Sequence, residues 1–164
     1  MKRFVFSTAS AEETHLLGRQ LGAQLQPPIL IALHGDLGAG KTTLTQGIAA
    51  GLGIRRRVTS PTFTLVNEYP LDNGWRLVHI DSYRLNSGEA QSIGLEEILD
   101  DERAIVIIEW AERVAALLQE ERIDIQLIAC GDVESREVVI SAVGHVAEAL
   151  VDGVASARTR SPEC

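Results

Sequence analysis

The sequence predicts a three-layer α/β sandwich with a mixed β-sheet and two antiparallel hairpins. Continuous apolar runs at Ile29–His34 and Ala104–Glu109 are typical of strands that are buried on both faces. Segments with helical periodicity alternate with such runs, which is the pattern of an α/β fold. Two further pairs of strand-like runs lie close together in the chain and add antiparallel pairing, so we expect the sheet to be mixed.

The chain opens with a predicted strand and helix. Residues 3–7 form the strand. Ser10 and Glu13 have the spacing of a capping box, which marks a helix start. Leucines at helical intervals follow, namely Leu16, Leu17, Leu21 and Leu25. The Pro27-Pro28 pair then ends the helix.

The middle of the chain predicts two helical segments around a hairpin. A glycine-rich segment follows the strand at Ile29–His34 and leads into a helix over residues 41–52. Residues 63–81 form a hairpin in this prediction, because Asn73-Gly74 is a strong turn signal between two strand-like runs. Residues 89–99 are helical, with a division at Gly94.

The last third of the chain predicts a helix, a second hairpin and a short final helical turn. The helix covers residues 112–119, the hairpin strands cover 123–129 and 137–142, and the final turn covers 145–150. We expect one domain over residues 1–153 and a flexible tail over 154–164.

Composition restricts the classes of function. A length of 164 residues fits one domain. The formal net charge of −8 argues against nucleic acid as the main direct ligand, because phosphate-backbone binding needs clustered Lys and Arg. Cys130 and Cys164 are too far apart to indicate a disulfide or metal framework. No signal peptide and no run of about 20 apolar residues is evident, so we expect a cytoplasmic protein without a membrane span.

One segment carries the strongest chemical signal: Gly35-Asp36-Leu37-Gly38-Ala39-Gly40-Lys41-Thr42-Thr43. It matches the G-x-x-x-x-G-K-[ST] pattern of a P-loop. Glycines let the backbone wrap around phosphate, amide groups converge on the anion, and the following helix directs its positive end toward it. In this pattern Lys41 contacts the β- and γ-phosphates and Thr42 binds Mg²⁺. We therefore predict a P-loop NTPase-like fold that binds a nucleoside triphosphate with Mg²⁺ at this segment.

Two carboxylates follow apolar strands. Asp81 ends the predicted strand over 76–81, and Glu109 ends Ala104–Glu109 as in a Walker B strand. Ligands of open α/β sheets bind at the carboxyl ends of strands, so both acids are expected near the phosphates. We predict that Lys41, Asp81 and Glu109 are catalytic. The sequence leaves open which of the two acids, Asp81 or Glu109, binds the metal and which positions water.

Several segments, taken together, resemble one family, the TsaE (also called YjeE) ATPases of tRNA threonylcarbamoyladenosine biosynthesis. The segments are GDLGAGKTTL at 35–44, SPTFTLVNEY at 60–69, HIDSYRL at 79–85, GLEEIL at 94–99 and IEW at 108–110. Their order and spacing extend over about residues 10–142, and the combination is far more specific than a P-loop alone. The helix around 88–93 and the tail after Val143 depart from the pattern.

The resemblance implies a weak Mg²⁺-dependent ATPase that acts with two proteins, the carbamoyl-transferring TsaD and its companion TsaB. Hydrolysis of ATP would reset their complex between turnovers, and tRNA would be only an indirect partner. On matching positions, Lys41 would bind phosphates, Thr42 and Glu109 would hold Mg²⁺, and Asp81 would act near the γ-phosphate.

The resemblance also implies positions around the nucleotide. Trp110 and the loop over residues 60–64 would lie beside the active site, and Arg136 would lie near the nucleotide. The start of the first helix, residues 10–13, would be an adenine-side contact.

Other functions remain open at this point. A small-molecule kinase would share the P-loop and would use Arg55-Arg56-Arg57 as a lid, although no acceptor site is evident. The same triplet also fits a solvated loop. A GTPase is disfavoured because the chain has no N-K-x-D segment. A third alternative is an ATP-gated binding module whose hydrolysis is incidental.

Overall fold

The computed structural model of the chain describes residues 1–61 and 64–159. Its strands are β1 (Lys2–Thr8), β2 (Ile29–His34), β3 (Val66–Pro70), β4 (Arg76–Asp81), β5 (Ala104–Glu109), β6 (Arg122–Ala129) and β7 (Arg136–Val143). Its α-helices are α1 (Ala11–Gly22), α2 (Lys41–Gly51), α3 (Ser87–Ser92), α4 (Leu95–Leu99) and α5 (His145–Thr159). Two 3-10 helices cover Asp72–Gly74 and Ala111–Leu117.

The strands of the described residues form one seven-stranded sheet in the order β1-β7-β6-β2-β5-β4-β3. Strand β2 pairs in parallel with β5 and β6, and β4 pairs in parallel with β5. The pairs β3–β4, β6–β7 and β1–β7 are antiparallel. The mixed sheet and both hairpins are therefore confirmed. The first hairpin begins at Val66, later than the predicted start at residue 63, which lies outside the described residues. The carboxyl ends of β2, β4, β5 and β6 lie along one edge of this sheet, because these strands run in the same direction.

Helices cover both faces of the central strands. Ile105 and Ile107 of β5 belong to one core, which contains buried residues of α1, α2 and α5. Val106 and Ile108 belong to a second core, which contains buried residues of α3 and α4. Since side chains alternate between the faces of a strand, β5 is apolar throughout only because both faces are covered. The three-layer arrangement is confirmed.

The start of α1 agrees with the predicted helix start, but only half of the capping box forms, because Glu13 binds the Ala9 amide and not the Ser10 amide. The Ser10 hydroxyl accepts a hydrogen bond from the Glu13 amide at 3.1 Å, and the Glu13 carboxylate accepts one from the Ala9 amide at 2.6 Å. The helix ends at Gly22, earlier than the predicted stop at Pro27-Pro28.

The predicted helix over 112–119 is wrong in type. The segment Ala111–Leu117 is a 3-10 helix, and Val114 has a non-helical ψ of 21° at φ −123°. The kink lets Val114 be buried in the second core. The division at Gly94 is confirmed, since this residue separates α3 from α4 with a φ of 69°.

The C-terminal helix is longer than the sequence predicts. In place of one turn over 145–150 and a tail from 154, α5 continues from His145 to Thr159. Buried side chains recur at helical intervals along it, namely Ala147, Leu150, Val151 and Val154. Val154 therefore belongs to the core and not to a tail. Residues 160–164 of the predicted tail lie outside the described residues.

No helix within 1–61 or 64–159 is long and apolar enough to cross a membrane.

Helices α1 and α2 pack through glycines at backbone contact. A Cβ atom added at Gly22 would lie 2.1 Å from the carbonyl oxygen of Ile48, and one at Gly47 would lie 2.1 Å from that of His15. Gly18 and Gly51 face the same contact, with distances of 2.4 and 2.3 Å to carbonyl oxygens of the opposite helix. A side chain at any of these positions would force the helices apart. This contact therefore fixes the position of α2, whose first residue is Lys41.

We expect Gly47→Ala to lower the free energy of unfolding by about 1–3 kcal/mol, the usual cost of overpacking. The clash is with the His15 backbone, which cannot move aside as a side-chain tip would. Urea unfolding followed by circular dichroism measures the change. The control is Gly88→Ala in α3, where the added Cβ would lie 3.5 Å from the nearest atom. Wild-type stability of Gly47→Ala would contradict the backbone contact.

Candidate active site

Residues 35–40, called here the glycine-rich loop, connect β2 to α2. Gly38 and Gly40 have φ values of 78° and 104°, which glycine adopts without strain. The loop can therefore turn sharply enough for α2 to begin at Lys41 with its positive end toward a cavity. The cavity has a volume of about 490 Å³ and is lined by Leu37, Gly38, Gly40, Lys41, Thr42, Thr43, Ser60, Asp81, Tyr83, Arg84, Glu109 and Trp110.

The Lys41 ammonium is held in place on its own loop. Only 5% of the residue is exposed. Its Nζ donates to the carbonyl oxygens of Gly35 at 2.6 Å and Asp36 at 2.9 Å, and lies 4.1 Å from the centroid of the Trp110 ring. Burial lowers the pKa of Lys41, and the nearby Glu109 carboxylate opposes this shift. Because the Lys41 ammonium has little contact with water, an anion that enters the cavity can bind it in place of the Gly35 and Asp36 carbonyl groups.

Glu109 is a buried carboxylate at the end of β5. Its Oε1 accepts a hydrogen bond from the Thr42 hydroxyl at 3.4 Å and lies 2.9 Å from Nε2 of His79. The hydroxyl and the carboxylate together present the oxygen ligands that Mg²⁺ prefers, and Mg²⁺ is usually held by one or two carboxylates together with substrate phosphates. Thr42 and Glu109 therefore fit a Mg²⁺ site.

Asp81 lies opposite Glu109 in the parallel pairing of β4 and β5. Its Oδ1 accepts a hydrogen bond from the Tyr83 amide at 3.0 Å, and its Oδ2 accepts one from the Ser60 hydroxyl at 3.3 Å. These two donors orient the carboxylate at the wall of the cavity. An oriented carboxylate beside a metal site is suited to position a water molecule or accept its proton.

The turn after β5 holds Trp110 in an uncommon conformation. Trp110 has φ 58° and ψ 43°, in the left-handed region that bulky residues avoid. The Ser82 hydroxyl lies 2.7 Å from the carbonyl oxygens of both Glu109 and Trp110, and the Ser82 amide donates to that of Glu109 at 3.1 Å. These contacts hold the turn in place and bring the indole ring over Lys41.

A pair of aromatic rings extends from this turn toward the surface. The rings of Tyr83 and Trp110 have centroids 4.8 Å apart and are tilted by 52°, and the Arg113 guanidinium lies 5.3 Å from the centroid of Tyr83. One wall of the cavity is thus aromatic, with Lys41 beside Trp110 and Arg113 beside Tyr83.

A second cavity of about 240 Å³ lies on the other side of the glycine-rich loop. Its lining residues are Ala11, Thr14, Gly38, Ala39, Gly40, Thr43, Val133, Glu134 and Arg136. Arg136 donates from Nε to the carbonyl oxygen of Ala39 at 2.8 Å and from Nη2 to that of Gly38 at 3.2 Å. Arg136 therefore braces the backbone of the loop from β7.

His34 anchors the strand that precedes the glycine-rich loop. Its Nε2 lies 3.0 Å from the Asp124 carboxylate on β6, and its Nδ1 lies 3.3 Å from that of Glu112. The hydrogen bond with Asp124 is the main cause that raises the pKa of His34.

The structure brings the predicted site residues together around the loop. Lys41, Asp81 and Glu109 line the first cavity, as do Leu37, Gly38, Gly40, Thr42, Thr43 and Trp110. Ala39 and Arg136 line the second cavity, and the carbonyl groups of Gly35 and Asp36 bind Lys41.

Two other predicted features fall partly outside these cavities. In the loop over residues 60–64, Ser60 contacts Asp81, while Thr62 lies outside the described residues. Arg56 donates to the Glu68 carbonyl oxygen at 2.9 Å and stacks on Tyr69. Arg56 and its neighbours 55 and 57 are absent from the described lining of both cavities.

Sequence reasoning gave no role to several residues of the site, namely Thr14, His79, Ser82, Tyr83 and Arg84. For His79 a signal existed. It lies in an apolar strand two residues before Asp81, and side chains with this spacing share a face of the sheet. Ser82 and Tyr83 lie in the segment HIDSYRL that carries the family resemblance, but their contacts depend on the turn that follows β5 and could not be read from the residue pattern.

Known proteins resemble this chain over most of its length. The tRNA threonylcarbamoyladenosine biosynthesis protein TsaE of Bacillus subtilis (strain 168) is 40% identical over 152 residues, which cover 93% of this chain and 94% of that protein. The protein of the same name from Streptomyces coelicolor is 42% identical over 135 residues, covering 79% and 90%.

A solved structure supports the same relationship. The crystal structure of YdiB from Bacillus subtilis superposes with a TM-score of 0.82 at 35% identity, covering 96% of this chain and 97% of that one. The family model described as threonylcarbamoyl adenosine biosynthesis protein TsaE matches residues 8–138. The chain belongs to the TsaE family.

Proposed function

We propose that the chain is the ATP-binding and ATP-hydrolysing component of the machinery that makes threonylcarbamoyladenosine in tRNA. Membership of the TsaE family supports the role in this biosynthesis. One observation carries the enzymatic part. A buried lysine at the start of α2 lies beside a hydroxyl–carboxylate pair, formed by Thr42 and Glu109, at the carboxyl ends of the parallel strands of the sheet.

The glycine-rich loop is proposed to act as a P-loop. When a triphosphate binds, the Lys41 ammonium exchanges the carbonyl oxygens of Gly35 and Asp36 for phosphate oxygens. The positive end of α2 supports the same negative charge. The cavity of about 490 Å³ lies within the range of about 300–1,000 Å³ that is usual for ligand pockets. The second cavity, which holds Arg136 and the start of α1, is proposed to receive the nucleoside.

Thr42 and Glu109 are proposed to hold Mg²⁺, and Asp81 to act on the attacking water. Bound Mg²⁺ would neutralise charge on the phosphates. Glu109 has the direct contact with the Thr42 hydroxyl, so it is the better metal ligand of the two acids. Asp81 is oriented by Ser60 and by the Tyr83 amide, which leaves it to position water and accept a proton. The reaction is attack of water on the γ-phosphate.

Protein partners are proposed to be TsaD and TsaB, with tRNA as an indirect partner. Apolar side chains are exposed at the rims of both cavities, with Leu37 90% and Val133 89% exposed. Exposed apolar residues at the mouth of a site suit contact with another protein. The net charge of −8 fits this better than direct contact with RNA.

Lys41→Ala is expected to lower ATP turnover by about 10²–10³-fold, because it removes a preorganised cation from the developing charge. Turnover is measured on the purified chain alone and with TsaD and TsaB added, and the partners should stimulate the wild type only. The matched control is Lys2→Ala, since Lys2 is the other lysine of the chain and pairs with Asp152 on α5. Full turnover by Lys41→Ala would refute the P-loop. A wild type that binds ATP without responding to the partners would favour the kinase alternative.

Asp81→Asn and Glu109→Gln are expected to differ in their need for metal. Glu109→Gln should require more Mg²⁺ for half-maximal turnover, because it loses a charged metal ligand. Asp81→Asn should keep the wild-type Mg²⁺ requirement and lose about 10²–10⁴-fold in turnover, as expected for a lost proton acceptor. Titration of each variant with MgCl₂ at saturating ATP gives both quantities. The opposite pattern would exchange the two roles.

A further inference from the structure

We propose that His79 is a positioning residue that holds Glu109 in its metal-binding orientation. The inference rests on the proposed function and assigns a role to a side chain that no step of the hydrolysis uses. His79 lies on β4, is 0% exposed, and directs Nε2 at Oε1 of Glu109 from 2.9 Å.

Glu109 depends on this contact for its orientation. The Thr42 hydroxyl reaches the same Oε1 from 3.4 Å, close to the upper limit for a hydrogen bond. A glutamate side chain rotates about several bonds, and one long hydrogen bond does not fix it. The shorter contact from His79 approaches from the neighbouring strand and holds Oε1. Neither side chain binds Oε2, which leaves that oxygen for the metal.

The second ring nitrogen of His79 indicates which tautomer makes this contact. Nδ1 is buried and has no hydrogen-bond partner among the described residues. A carboxylate only accepts hydrogen bonds, so Nε2 must carry the proton that faces Glu109. His79 therefore donates from Nε2 to Glu109, and hydrogen bonds of this kind commonly orient ligand carboxylates in metal sites.

A purely structural histidine would behave differently. Filling a buried position on the face of β4 needs volume but no hydrogen bond to Glu109. Loss of packing would weaken the fold and all nucleotide binding alike. Loss of the contact that positions Glu109 would lower only the increase in nucleotide affinity that Mg²⁺ produces.

The test compares two amide variants. His79→Gln places an N–H group near the position of Nε2, whereas His79→Asn is one methylene shorter and its amide falls short of Glu109. Calorimetry measures binding of a non-hydrolysable ATP analogue across a MgCl₂ titration and in EDTA. Thermal unfolding reports the state of the fold, and His79→Phe retains a planar ring without the donor in case the amides unfold.

We expect His79→Asn to raise the Mg²⁺ concentration that gives half of the maximal increase in analogue affinity. The rise should be about 10–100-fold, the usual effect of losing a residue that orients a metal ligand. His79→Phe should behave like His79→Asn, and His79→Gln should stay close to the wild type. Affinity in EDTA should be the same for all variants. In a Glu109→Gln background the change at His79 should have no further effect, because both act on one ligand.

Three results would overturn the inference. They are a wild-type Mg²⁺ response in both His79→Asn and His79→Phe, an equal loss of affinity in EDTA, and additivity with Glu109→Gln. Failure of the proposed function has a different signature. In that case the wild type would bind the analogue without any dependence on Mg²⁺, and Glu109→Gln would change nothing.

Discussion

The in-register parallel pairing of β4, β5 and β2 is the constraint on which the candidate site depends. It sets Asp81 opposite Glu109, and it brings the end of β2 beside the end of β5. The glycine-rich loop starts where β2 stops, so Lys41 and Thr42 arrive next to those carboxylates. A shift of one residue in either pairing would turn an acid to the opposite face of the sheet. Apolar cores cover both faces of the central strands, so an acid turned to the opposite face would be buried among apolar side chains. Such a shift is therefore costly, and the charged groups stay together.

The second constraint is the contact of α1 with α2. Glycines at Gly22 and Gly47 let the two backbones touch, so α2 has little freedom to slide along the sheet. Its first turn carries the residues proposed to bind phosphate and Mg²⁺. The ammonium of Lys41 is held beside the cavity by the carbonyl groups of Gly35 and Asp36, and it must leave them when an anion binds. The position of α2, and with it the positive end of the helix, is set before the anion arrives, and charge placed in advance is a main source of electrostatic catalysis.

Much of this arrangement was predictable from local patterns, and the remainder depended on tertiary contacts. Strands β2, β4 and β5 have the predicted bounds, because their apolar runs end at polar residues, and two of these, Asp81 and Glu109, line the site. The placement of Lys41, Asp81 and Glu109 at loop and strand ends was enough to expect them near one another. The contact of His79 with Glu109 depends on the register between strands, which the residue pattern does not report. The length of α5 was underestimated because its apolar positions are mostly small and are buried by tertiary packing against β7, α1 and β1.

In the proposed site the glycine-rich loop and Lys41 hold the phosphates of ATP while Thr42 and Glu109 hold Mg²⁺. A crystal structure of the chain with Mg²⁺ and a non-hydrolysable ATP analogue tests this arrangement most directly. We expect phosphate oxygens within the loop, the Lys41 Nζ moved from the Gly35 and Asp36 carbonyl groups onto those oxygens, and the metal on Thr42 and Glu109. Phosphates bound elsewhere, or a metal that contacts neither residue, would contradict it.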